Sequence, residues 1–178
     1  AAGYQGLFAV VSDPVDPLCK EVLLSSGLAP AQIRGYGLGV MNKRAEYYAK
    51  KNARFASYLT EGRAFGPHGA DLVIANSIAH YDDTLSRELT DLTVKANLAI
   101  RELGFKPYLA PALSSAAASL LRLVRGQEHY GAVPLGGAYF GCVSRMTRFG
   151  PELRREALAP ALRAELEKTY AALEAFEY

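Results

Sequence analysis

The chain has 178 residues, 50% of them hydrophobic, with 20 basic against 18 acidic side chains and a net charge of +2. That length and apolar content suffice for one sizeable core, and the scattered, nearly balanced charge excludes the basic stripe that a nucleic acid or an anionic membrane would need. No apolar run reaches membrane-spanning length and no signal-like segment opens the chain; Cys19 and Cys142 lie far apart in apolar surroundings, as reduced thiols of a cytoplasmic protein do.

Leu7-Phe8-Ala9-Val10-Val11-Ser12 is a continuous apolar run, too short for a helix and bounded by turn formers, and reads as a strand buried on both faces of a parallel sheet. Asp13-Pro14-Val15-Asp16-Pro17 stops it. With Pro17 in the first turn, a helix follows through Leu18, Val22 and Leu23 to Gly27. A short strand from Gln32 to Tyr36 leads into Gly35-Tyr36-Gly37-Leu38-Gly39, and a helix runs from about Met41 to Tyr58. This glycine cluster is no dinucleotide fingerprint, because Val40 occupies the place of the third glycine and no acidic residue closes a βαβ unit after it.

Arg63-Ala64-Phe65-Gly66-Pro67-His68-Gly69-Ala70-Asp71 holds a histidine between two glycines, with a proline fixing its approach. Such a loop either exposes an imidazole to a pocket or is a turn whose histidine faces solvent. His80 and His129 have no comparable frame and read as surface or loop residues.

Leu72 to Ala75 is a further strand. A long helix spans about Asp82 to Leu103, with Leu85, Leu89, Leu92, Ala96 and Ala99 on one face and Gly104 as its stop. Ala112 to Arg125 is a small-residue helix expected to be closely buried. Gly131 to Arg148 reads as two or three antiparallel strands, and Pro160 to Phe176 as an amphipathic helix burying Leu162, Leu166, Tyr170 and Leu173. The class is α+β, with antiparallel strands packed against long helices. The parallel-type first strand has no sheet around it in the remaining sequence, so the chain reads as a fragment whose first half is missing.

Several of these segments resemble motifs of the NAD-dependent lactate and malate dehydrogenases. Val11-Ser12-Asp13-Pro14-Val15-Asp16-Pro17-Leu18 resembles V-S-N-P-V-D-x-L, and Gly66-Pro67-His68-Gly69 resembles G-E-H-G. Gly35-x-Gly37 with Arg44 in the following helix resembles G-x-G-x-x-[LM]-D-x-x-R. The long helix, Tyr108-Leu109-Ala110-Pro111-Ala112, Tyr139-Phe140-Gly141 and the terminal helix follow in the family's order, so the resemblance covers nearly the whole chain. It implies a divergent member's C-terminal domain. Residues 1–30 would then be the remnant of the dinucleotide-binding domain and residues 31–178 the catalytic and substrate domain.

The resemblance further implies a mechanism and a site. His68 would be the acid/base in hydride transfer between NAD and a small 2-hydroxy or 2-oxo acid, Arg44 would clamp the substrate carboxylate, and Asp13 would lie at the cofactor. That chemistry needs a group titrating near neutrality and a planar two-pronged donor. It also implies a cis Asp13-Pro14 bond and a homodimer or tetramer formed through the helix after Gly39. No metal is expected.

Four positions depart from the family pattern. Met41 replaces the aspartate that orients the histidine, Asp13 replaces an asparagine, Ala70 replaces an acidic residue, and the substrate-pocket threonine falls near Pro107. Asp16, Glu46 and Asp71 are candidates for a substitute orienting acid, Glu46 lying off the face of Met41. These departures keep open a catalytically weakened paralogue that binds a carboxylate or a nucleotide. A metal-using, NAD-dependent glycosidase would need a cysteine ligand, and Cys19 falls within a helix. The apolar first strand is expected to promote self-association.

Overall fold

The computed structural model describes residues 3–69, 71–104 and 110–176. Ala70, Pro107 and the Tyr108-Leu109 pair lie outside them. Strand β1 (Phe8–Val10) pairs in parallel with β2 (Ile33–Gly35), and β2 meets β5 (His129–Leu135) antiparallel. Strands β6 (Ala138–Thr147) and β7 (Gly150–Leu153) extend the sheet by antiparallel pairing, giving the order β1-β2-β5-β6-β7. Strands β3 (Arg63–Phe65) and β4 (Val73–Ala75) form a separate hairpin, and the His68 segment is its loop. The parallel reading of the first strand holds, but its double burial does not. β1 is an edge strand: Val10 is buried while Leu7, Phe8 and Val11 are exposed.

Helix α1 (Val15–Ser26) closes on Gly27 in the left-handed conformation and covers the sheet through Val15 and Cys19, against Val10, Ile33, Ala132 and Tyr139. Helix α2 (Leu38–Lys51) starts earlier and stops sooner than its sequence pattern implies. Asn52 leaves the helix in an extended conformation and its side chain accepts a bond from the Arg54 N–H, turning the chain through a 3₁₀ turn (Ala53–Phe55) into the single turn α3 (Tyr58–Glu61).

Helix α4 (Asp83–Glu102) is capped by the Asp82 side chain on the Leu85 N–H. Its buried residues are Ser86, Leu89 and Thr93, whereas Leu92 and Ala99 of the expected stripe are exposed. Backbone bonding explains the polar choice. The Asn76 N–H donates to Ser86 Oγ and the Ile74 N–H to Thr90 Oγ1, both at 3.0 Å, so hydroxyls on the helix satisfy backbone donors in and beside β4 that β3 does not reach. Among the described side chains of helix α5 (Ala110–Val124), Ala116 and Ser119 are buried whereas Leu121 and Val124 are exposed, so that part of the helix is not closely buried as expected. Helix α6 (Pro160–Ala175) buries Leu162 and Leu173 against Phe65, Val73 and Phe140, with Leu166 and Tyr170 packed at the margin. Among the described residues, no helix is long and apolar enough to cross a membrane.

Candidate active site

The β3–β4 loop carries His68 and is fastened at both ends. Gly66 adopts a φ of 80°, which frees its N–H to donate to the Gly141 carbonyl at 2.9 Å on β6. Past the histidine, the Thr169 hydroxyl of α6 donates to the Asp71 carbonyl at 3.1 Å. A loop tied to a strand and a helix holds its side chain in one place. His68 is only 18% exposed, and its Nδ1 lies 2.7 Å from Oδ1 of Asp13.

Asp13 sits in the turn between β1 and α1, and its bond to Pro14 is cis, as expected. The turn between β2 and α2 forms the third wall. A Cβ on Gly37 would stand 3.0 Å from the Cβ of His68 and 3.0 Å from Val15, so this glycine gives the imidazole its room. Three segments distant in sequence therefore converge on one ring.

Arg44 lies on α2 and is half-buried. Its Nη1 lies 3.5 Å from the Thr93 carbonyl and 3.6 Å from Met41 Sδ, and among the described residues it forms no ion pair with a carboxylate. Burial lowers its pKa, and the nearby Tyr48 and Asp13 act in the opposite direction. A desolvated guanidinium without a counter-ion is a site for an anion. Met41 is buried in the core cluster with Leu38, Phe55 and Leu89.

None of the three candidate substitute acids meets His68. Asp16 is buried at the start of α1, where its carboxylate accepts from its own N–H and from that of Gly141; burial pushes its pKa up to about 8. Glu46 takes the Asn42 amide at 2.7 Å and the Lys43 ammonium. Asp71 is exposed, with a φ of 62°.

The sequence matches no protein-family model and no curated protein. Solved structures do match. Malate dehydrogenase from Archaeoglobus fulgidus, in complex with NADH, superposes with a TM-score of 0.67 at 18% identity over 93% of this chain. Malate dehydrogenase from Plasmodium falciparum gives 0.69 at 15% identity over 94%, and the minor L-lactate dehydrogenase from Enterococcus mundtii 0.75 at 20% over 98%. The fold is that of a lactate/malate dehydrogenase C-terminal domain. The chain spans 58%, 61% and 63% of those three proteins.

Within this dehydrogenase fold, the other histidines divide. His80 is exposed, as expected, but His129 is not a surface residue: it begins β5, is 5% exposed, stacks on Tyr36 with ring centroids 6.0 Å apart, and places Nδ1 3.0 Å from the Gln127 carbonyl. Burial lowers its pKa. Its neighbours in sequence, Glu128 and Tyr130, gave no hint that the strand begins by turning the ring inward. A cavity of about 320 Å³ between α2, α5 and β5 is lined by Lys43, Arg63, Ser119 and Arg122 and does not include His68, Asp13 or Arg44. Its Arg63 is already engaged by Glu156 at 2.8 Å.

Proposed function

We propose that this chain is the substrate-binding domain of an NAD-dependent 2-hydroxyacid dehydrogenase. The observation that supports this best is an imidazole held 2.7 Å from Asp13, together with a half-buried guanidinium on which the same Asp13 acts and which forms no ion pair with a carboxylate among the described residues. Arg44 would take the carboxylate of a 2-oxo acid, the fork offering two parallel donors to its two oxygens. His68 would give a proton to the carbonyl oxygen while hydride adds to the carbonyl carbon, converting the 2-oxo acid to the 2-hydroxy acid; in the reverse direction the ring takes the proton back.

The nicotinamide cofactor supplies or accepts the hydride when bound. Asp13 is the residue of this chain suited to lie against it, since its side chain is 58% exposed and a carboxylate favours a cationic ring. Met41 supports a second reading, a module that binds a carboxylate or a nucleotide without turnover, because an apolar residue stands where the resemblance calls for an acid.

An absorbance assay on the complete gene product, with NADH and NADPH against a panel of 2-oxo acids, separates the two. Turnover is expected, and His68→Ala should lower kcat by about 10²–10⁴-fold. Arg44→Lys keeps the charge but loses the fork, and should lower kcat/KM roughly 10–100-fold. Tight NADH binding with no turnover of any acid would favour the binding module.

A further inference from the structure

We propose that Asp13 is the positioning residue for His68, so that the turn between β1 and α1 supplies the orienting carboxylate that α2 lacks. The catalytic consequence rests on the dehydrogenase reading above; the pairing itself does not. An ionised carboxylate only accepts hydrogen bonds, so the ring nitrogen facing it must carry a hydrogen. At 2.7 Å from Asp13 Oδ1, that nitrogen is Nδ1. Nε2 is then the nitrogen left to exchange a proton with a substrate, and in the protonated ring the same carboxylate offsets the added charge.

None of the three other candidate acids is paired with His68. Glu46 is held by Asn42 and Lys43, Asp16 is enclosed against Gly141, and Asp71 is exposed to solvent. Gly37 leaves the ring room to turn toward Asp13, and Gly66 and Thr169 fix the loop on either side of it. Asp13 is also close enough to Arg44 for its charge to act there, so one carboxylate serves the electrostatics of both functional side chains.

The test has two arms. In the first, ¹⁵N-edited NMR of the 178-residue chain reads the His68 ring. Wild type should show the Nδ1–H tautomer with a downfield, slowly exchanging proton, Asp13→Ala should lose both, and Asp13→Glu should recover them in part. In the second, the complete gene product is assayed with its best 2-oxo acid. Asp13→Ala should lower kcat by about 10²–10⁴-fold with KM within roughly threefold. Asp13→Asn, which keeps the volume and removes the charge, gives the same reading if the alanine variant folds poorly. An Nε2–H ring in wild type overturns the proposal. So does an unchanged kcat in both Asp13 variants while His68→Ala abolishes turnover, and in that case the dehydrogenase reading stands. If wild type turns over no acid, the dehydrogenase reading falls and the catalytic role of Asp13 falls with it, even where the tautomer is as expected.

Discussion

Asp16→Asn should make the protein progressively more stable than wild type as the pH rises. The Asp16 side chain is enclosed at the start of α1 and its Oδ1 has no hydrogen-bond partner among the described residues, so ionisation is opposed chiefly by burial, and secondarily by the charge of Asp13. Burial raises its pKa from the ordinary 3.8 to about 8. Below pH 4 the group is protonated in both the folded and the unfolded chain and favours neither. Between pH 4 and pH 8 the unfolded chain releases the proton and the folded chain keeps it, so stability falls throughout that window and levels off above it. At about 1.4 kcal/mol per pH unit, the whole window is worth on the order of 5 kcal/mol. Asparagine keeps the shape and does not titrate. Its amide nitrogen would replace an already unpartnered oxygen, a pH-independent offset of about 1–3 kcal/mol. Urea unfolding of both proteins at pH 4.5, 6 and 8 isolates Asp16, because every other group titrates alike in the two. The difference should move in favour of the variant by several kcal/mol from the lowest to the highest pH. A difference constant with pH would refute a buried, protonated Asp16.

Two further substitutions probe the site and the core separately. Gly37→Ala places a methyl group 3.0 Å from both His68 Cβ and Val15 Cγ2, so the His68 loop, the Val15 side chain or both must give by a few tenths of an ångström. Displacing a reacting group by a fraction of an ångström should cost about 10–100-fold in kcat, with Tm lowered only a few degrees; an unchanged kcat would mean that the ring is not positioned by this wall. Leu89→Ala opens a void at a fully buried position shared by α2, α4 and β4, and should cost roughly 2–5 kcal/mol and lower Tm by about 10 °C. Leu24→Ala, at a side chain 74% exposed, is the control and should change stability by less than about 0.5 kcal/mol in the same thermal melts.

The features legible in the sequence are those written locally. Glycines flanking His68, the Gly35-x-Gly37 turn before α2, the apolar spacing of α6 and the short runs of β5 and β6 each depend on residues within a few positions of one another, whereas β7 lies beyond the expected strands. What escaped the reading depends on partners elsewhere in the chain. The face of α4 looked apolar by spacing, yet it turns Ser86 and Thr90 inward because donors at Ile74 and Asn76 need acceptors there. The break of α2 at Asn52 carries no glycine or proline and shows only as an asparagine bonding its own backbone two residues on. β3 is three residues long and reads as part of the loop it supports.

The same distinction governs the candidate site. Against the dehydrogenase motifs that the sequence resembles, Met41 and Asp13 are two separate departures: an orienting acid absent from α2, and an acid in place of an uncharged amide in the turn after β1. The fold brings Asp13 to Nδ1 of the histidine, and the two departures become one exchange, with the carboxylate arriving from a different element. Such an exchange leaves the proton chemistry of the imidazole available while changing what lies on either side of it. Met41 adds apolar bulk to the core cluster beside Arg44, and Asp13 adds an exposed negative charge beside His68. On the dehydrogenase reading proposed above, a carboxylate taken by Arg44 would share the guanidinium with that charge, since Asp13 already acts on it.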